Sequence, residues 1–177
     1  MPQPNTAKAP KRPWTLKRII REVVVFAVII FIVSNVLNYF RAPKLDSDLL
    51  PEIKATLIDG STFDTASLRG KPLLINFWGT WCPVCAQEAS NIEALSKKYT
   101  VLTIAVNSRG DDHIKTWMKE KGVHYPVLND ASGRWAAQFK VSIYPTIFIY
   151  DSQGKLKFTE TGYSTTAGLL ARMKLAE

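Results

Sequence analysis

The chain of 177 residues contains two cysteines, Cys82 and Cys85, three residues apart. A thiolate attacks disulfides, and a second thiol within about one helical turn can resolve the mixed disulfide that forms. The pair follows an apolar, β-prone run at 73–78, interrupted by Gly79 and Thr80, and the residues from Ala86 onward are typical of a helix. This pattern predicts reversible redox chemistry where a strand gives way to a helix.

The N-terminus of a helix favours a negative charge. Its first backbone N–H groups lack intrahelical partners, so a thiolate at Cys82 is stabilised and its pKa is expected below the free value of about 8.5. Pro83 fits the first turn, where its missing N–H costs nothing. We therefore expect Cys82 to attack and Cys85 to resolve.

Two other uses of the cysteines fit the sequence less well. A structural disulfide would close a very small loop and remove little chain entropy. Zinc needs four ligands, and the spacing of eleven between His113 and His124 fits no usual ligand pair, so both histidines are expected at the surface or at helix ends. We predict no metal and no cofactor, and a Cu(I)-binding carrier that uses both thiols remains the alternative from a different class.

Glu88 and Pro145 are candidate supporting residues. Glu88 lies three residues after Cys85 and either favours the helix dipole or, if burial raises its pKa, carries a proton during exchange. Pro145 precedes a predicted strand, where it needs no special role, but a cis bond there would turn the backbone toward Cys82.

The N-terminal segment predicts a membrane anchor. Its first 22 residues carry +5 of the net charge of +8, and they precede the nearly uncharged run Val23–Phe40, about 27 Å long as a helix. We predict a basic cytoplasmic tail at 1–18, a transmembrane helix at 19–40 and a linker at 41–51. A cleaved signal peptide and a buried helix are the alternatives, but no Ala-x-Ala-like site follows the apolar run.

The same charge distribution predicts the location of the chain. Basic residues packed beside a hydrophobic segment suit anionic lipids and stay on the cytoplasmic side, whereas nucleic-acid binding would need them spread over a folded face. We expect a single-pass protein of the bacterial inner membrane, with its catalytic domain in the periplasm and no nucleic-acid partner.

Residues 52–177 predict an α/β domain with a mixed central sheet flanked by helices. A β-hairpin is expected at 53–64, and the elements that follow Pro72 alternate between strand and helix. We predict strands at 73–78, 101–106, 125–128, 146–150 and 155–159, and helices at 86–99, 111–121, 130–140 and 165–174.

From Ile53 onward the chain resembles the thioredoxin superfamily, and within it the membrane-anchored TlpA/ResA/DsbE-like branch. The resemblance rests on Phe-Trp-Gly-Thr-Trp-Cys-Pro-Val-Cys at 77–85, which includes Trp81, and on Tyr-Pro-Thr at 144–146. It implies a thioredoxin-like fold, a cis bond at Pro145 and an active-site glutamate at Glu88. Asn76 stands where ordinary thioredoxins place a buried aspartate, and residues 111–128 match the strand and helix that this branch inserts.

The resemblance also implies a function. We predict a membrane-tethered, periplasmic thiol-disulfide oxidoreductase that reduces disulfides in partner proteins, with a polytopic membrane reductase as electron donor. A disulfide-introducing oxidase is the near alternative. The cytochrome c maturation pattern around the cis proline is absent, and the Pro-Val dipeptide with the short anchor is more similar to ScsD-type proteins of copper-tolerance operons.

Overall fold

The structure, a computed structural model, describes residues 16–68 and 70–177. Most of the predicted basic tail therefore lies outside the described residues. The chain divides into an N-terminal unit that ends at Tyr39 and a compact unit from Phe40 to Glu177. The described helices are α1 (Leu16–Arg41), α2 (Pro83–Ser96), α3 (Asp111–Lys121), α4 (Arg134–Gln138) and α5 (Thr166–Leu175). The strands are β1 (Lys54–Thr56), β2 (Thr62–Asp64), β3 (Leu73–Trp78), β4 (Thr100–Val106), β5 (Val127–Asp130), β6 (Thr146–Tyr150) and β7 (Leu156–Thr161).

Helix α1 is long and apolar enough to cross a membrane over Leu16–Asn38. It begins three residues before the predicted anchor, so residues 16–18, predicted as part of the tail, are helical. Its large apolar side chains from Val23 to Val33 are exposed, as are those of Val36, Leu37 and Phe40.

The compact unit has the predicted mixed sheet, in the order β5-β4-β3-β6-β7. Strand β3 pairs parallel with β4 and antiparallel with β6, so it occupies the centre of the sheet. All six of its residues are buried, as the largely apolar run predicts, and Asn76 is the one polar residue among them. Strands β1 and β2 form a separate antiparallel hairpin, as predicted for 53–64.

Alternation along β3 divides the core into two layers. Leu74 and Trp78 pack on the side that holds the buried residues of α2, α3 and α5. Ile75 and Phe77 face the other side, where Phe77 contacts Phe139 and Phe148 with ring centroids 5.0 and 5.8 Å apart. Because successive side chains on a strand point to opposite faces, the one buried strand β3 contributes side chains to both layers of the core.

One predicted helix is too long. The expected helix at 130–140 is limited to Arg134–Gln138 in α4. Asp130 instead ends β5, and its Oδ2 accepts a hydrogen bond from the Ala136 N–H at 2.9 Å. Gly133 precedes the helix with φ of 74°, a conformation that few other residues adopt. The buried carboxylate is thus used to satisfy an amide near the start of a short helix.

Candidate active site

Cys82 and Cys85 form a disulfide at the junction between β3 and α2. Cys82 is the N-cap residue of α2, with extended backbone angles, and Pro83 occupies the first helical position. The predicted position of Cys82 where a strand gives way to a helix and the predicted position of Pro83 in the first helical turn are both confirmed. Helix α2 begins at Pro83, earlier than the expected Ala86, because a proline is well suited to a first turn.

A backbone amide points at the Cys82 sulfur. The Cys85 N–H donates to Cys82 Sγ at 3.1 Å, and the Ala86 N–H donates to the Cys82 carbonyl at 3.1 Å. The Cys85 amide, at the positive end of the α2 dipole, thus faces the sulfur. When the disulfide is reduced, this arrangement stabilises a thiolate on Cys82 more than a neutral thiol.

The Tyr144–Pro145 bond is cis, as the resemblance implied. Its loop lies beside the disulfide, with the Tyr144 carbonyl oxygen 3.8 Å from Cys82 Sγ. The Pro145 carbonyl accepts a hydrogen bond from the Gly162 N–H at 2.8 Å, which ties this loop to the end of β7. Since Cys82 is only 5% exposed, a partner reaches its sulfur past this loop and Trp81.

Trp81 is held in one orientation although its side chain is 53% exposed. Its indole N–H donates to the Val106 carbonyl at 3.0 Å, and its ring lies edge-on to Tyr144 with centroids 5.2 Å apart. A Cβ at Gly79 would lie 2.6 Å from the indole ring, so the absence of a side chain there admits this orientation. The Thr80 N–H donates to Ser108 Oγ at 3.0 Å, which fixes the same turn.

Glu88 is buried beneath the cysteine pair, with 1% of its surface exposed. Its Oε1 accepts a hydrogen bond from the Ser164 N–H at 2.7 Å, whereas Oε2 has no hydrogen-bond partner among the described residues. Burial raises the pKa of Glu88 to about 8, although the Ser164 hydrogen bond acts in the opposite direction. A neutral acid with one oxygen unpartnered among the described residues can therefore exist at pH 7 on α2, three residues after Cys85.

The structure also places the other residues that the sequence singled out. Asn76 is buried on β3 with its Oδ1 unpartnered among the described residues. His113 and His124 are both exposed, as expected, and His124 lies at the surface with its backbone N–H donating to Glu93. Among the described residues, no group of three or more histidine, cysteine or acidic side chains could hold a metal ion.

Sequence reasoning missed three residues that support the site: Ser108, Ser164 and Gly79. Ser108 is fully buried and lies in the loop after β4, 28 residues from the amide that it binds. The contacts of Ser108 and Ser164 join distant segments of the chain, so no local pattern marks them. Gly79 lies two residues from Trp81, within the motif at 77–85, but its close approach to the indole ring becomes visible only in the structure.

The chain is similar to a known protein family and to individual proteins of several bacteria. Residues 47–159 match the AhpC/TSA family. A thioredoxin-like protein of Haemophilus influenzae is 29% identical over 92% of this chain and 97% of its own length. The thiol-disulfide oxidoreductase ResA of Bacillus anthracis is 30% identical over 70% of this chain and 74% of its own.

A solved structure also matches. The thiol:disulfide interchange protein of Chlorobium tepidum superposes with a TM-score of 0.66 at 28% identity, covering 75% of this chain and 98% of that one. Its match extends the similarity from the sequence to the three-dimensional arrangement of the compact unit.

The buried acid predicts how stability depends on pH. The folded protein holds the Glu88 proton up to about pH 8, whereas the unfolded chain releases it near the ordinary value of 4.5. Between these values the unfolded state binds fewer protons, so the free energy of unfolding falls as pH rises, by on the order of 4 kcal/mol. Glu88→Gln should remove most of this fall in urea unfolding of the oxidised protein at pH 5, 7 and 9. Glu120 on α3 is exposed, so the control variant Glu120→Gln should retain the fall in unfolding free energy. If the unfolding free energy of Glu88→Gln falls with pH as steeply as that of the unsubstituted protein, Glu88 is not the group responsible.

The contact between Gly79 and Trp81 predicts a specific coupling. Gly79→Ala should displace the indole ring and break its hydrogen bond to Val106, at a cost of about 1 kcal/mol in the free energy of unfolding. In a Trp81→Ala background the same substitution should cost almost nothing, because the ring is gone. A double-mutant cycle measures this difference, and additive effects would show that Gly79 acts independently of Trp81.

Proposed function

Because the chain belongs to the AhpC/TSA family of thioredoxin-like proteins and is a thiol-disulfide oxidoreductase, we propose that it reduces disulfides in partner proteins through Cys82 and Cys85. The observation that carries this proposal is the disulfide at the start of α2, where the Cys85 amide lies 3.1 Å from Cys82 Sγ. The cis-proline loop next to Cys82 supplies a backbone carbonyl at the place where a partner's cysteine must approach.

The reaction begins with the reduced enzyme. The Cys82 thiolate attacks one sulfur of the partner disulfide, a bond forms between Cys82 and that sulfur, and the other partner sulfur leaves as a thiolate. Cys85 then loses its proton and attacks Cys82 Sγ, which releases the second partner sulfur. Two electrons have passed to the partner, and the enzyme is left with the Cys82–Cys85 disulfide seen in the structure.

Glu88 handles a proton in this scheme. Cys85 must be deprotonated to attack, and each released partner thiolate takes up a proton. A carboxyl group with a pKa of about 8 is matched to accept and return a proton near neutral pH. Its unpartnered Oε2 leaves one oxygen free for this exchange. Trp81 and Pro145 position the partner, and Pro83 starts the helix that activates Cys82.

The surroundings of the cysteines favour the reducing direction. A strongly oxidising pair needs a reduced form that is stabilised by a very acidic thiol. Here the stabilising groups are backbone amides, and the sequence between Lys71 and Lys97 contains no basic residue. The buried residue beneath the pair is a carboxylic acid that is mostly neutral at pH 7, rather than a cation. These features support a moderately acidic thiol and a reducing potential.

The cellular setting that we propose depends on α1. A helix long and apolar enough to span a bilayer, preceded by basic residues, supports a tether at 19–40 with the 52–177 domain in the periplasm of a bacterial inner membrane. A polytopic membrane reductase would return electrons to the disulfide. The role in copper tolerance rests on the ScsD-type resemblance, and wild-type growth of a deletion strain on copper would contradict it.

The order of attack is tested by trapping. Cys85→Ser should accumulate mixed disulfides between Cys82 and periplasmic proteins, because the resolving thiol is missing. They are measured in membranes by non-reducing gel electrophoresis and mass spectrometry of the full-length chain. The double variant with serine at both positions is the matched control and should trap nothing. Mixed disulfides that form instead through Cys85, in a Cys82→Ser variant, would reverse the assigned roles.

The direction of electron flow is tested by the reduction potential of the full-length chain in detergent. Equilibration with glutathione or dithiothreitol buffers should give a reduction potential of about −270 mV, in the range of thioredoxin. A value near about −120 mV would indicate a disulfide-introducing oxidase instead. Tight Cu(I) binding without turnover of insulin disulfides would favour a carrier and contradict both redox roles.

A further inference from the structure

The loop at 162–165, between β7 and α5, covers Glu88. Its Ser164 is buried, with 9% of its surface exposed, and donates its backbone N–H to Glu88 Oε1 at 2.7 Å. Tyr163, the preceding residue, is 53% exposed. The loop therefore lies directly against the buried carboxyl group.

Asn91 fastens this loop to α2. It follows Glu88 by three residues, so both side chains lie along one side of the helix. Its Nδ2 donates to the Ser164 carbonyl at 2.8 Å and to the Tyr163 hydroxyl at 3.1 Å, and its Oδ1 accepts from Thr166 Oγ1 at 2.8 Å. Asparagine is a poor helix former, and here its side-chain amide makes three hydrogen bonds to residues 163–166.

We infer that Asn91 is a positioning residue for the oxidoreductase reaction: it holds the 162–165 loop closed over Glu88 and keeps water away from that carboxyl group. The inference rests on the proposed function of Glu88 in handling a proton. Asn91 itself contacts neither the cysteines nor the partner, and it affects Glu88 only through the 162–165 loop.

The sign of the effect follows from the two influences on Glu88. Burial is the larger and raises the pKa, whereas the Ser164 hydrogen bond is the smaller and lowers it. Opening the loop removes both, so the loss of burial dominates and the pKa of Glu88 should fall toward its ordinary value. The exchange of a proton near pH 8 would then be lost.

Other charges around Glu88 stay in place when Asn91 is changed. Tyr125, just before β5, is the neighbouring group whose own pKa is raised by burial and by the charges of Glu93 and Glu88. Glu160 on β7 and Arg172 on α5 form an ion pair with each other at 2.6 Å. On α2 itself the two cysteines are joined in the disulfide. A shift in the midpoint of the Glu88 titration therefore indicates a change in the 162–165 loop.

The test is Asn91→Ala in the full-length oxidised chain in detergent. The protonated carboxyl band of Glu88 is followed by infrared spectroscopy from pH 4 to 10 and identified by its loss in Glu88→Gln. The midpoint should fall by about one pH unit or more, and the rate of insulin reduction should lose its dependence on pH near 8. Tyr163→Phe, which removes one hydroxyl and keeps the bond to the Ser164 carbonyl, should leave the midpoint unchanged.

An unchanged midpoint in folded Asn91→Ala would overturn the inference, and so would a change in rate without a change in pH dependence. If Asn91→Ala does not fold, Asn91→Ser shortens the side chain, removes its bond to the Ser164 carbonyl and should shift the midpoint in the same direction, and no shift there would be equally contradictory. The Glu88 titration is measured without turnover, so its outcome is independent of the proposed function. The Cys85→Ser trapping experiment tests that function separately.

Discussion

The contact between the Cys85 amide and Cys82 Sγ is the interaction on which the rest of the site depends. It exists because β3 ends at Trp78, a short turn follows, and α2 begins at Pro83 with Cys82 as its cap. The helix offers amides that have no internal partner, and the sulfur occupies the place where a capping oxygen usually lies. A structural feature that stabilises ordinary helices is used here to favour a thiolate.

The surroundings of this contact limit what the sulfur can do. Trp81 and the cis-proline loop restrict access to a sulfur that is 5% exposed, which favours a partner that presents its disulfide on an exposed segment. Beneath the pair, Glu88 stays neutral until about pH 8 and so adds little negative charge near the thiols at pH 7. A charged carboxylate at the same position would oppose the thiolate, so the burial of Glu88 and the acidity of Cys82 support each other.

Much of this arrangement was predictable because it is local. The largely apolar run of β3, the Gly79-Thr80 interruption and the Cys-Pro-Val-Cys spacing are encoded within sixteen residues, and the family resemblance added the cis bond at Pro145 and the position of Glu88. The bonds from Ser164 to Glu88, from Thr80 to Ser108 and from Asn91 to the 162–165 loop were not predictable, since each joins segments 28 or more residues apart. The helix at 130–140 was overestimated because its helical pattern did not reveal that Asp130 belongs to β5.

The most direct test is the pKa of the Cys82 thiol, measured in the Cys85→Ser variant from the pH dependence of its alkylation by iodoacetamide. The expected value lies well below the free thiol value of about 8.5, near the thioredoxin value of about 7, because the Cys85 amide at the start of α2 stabilises the anion. A value at or above about 8.5 would contradict it, since the start of α2 would then give the sulfur no preference for the thiolate.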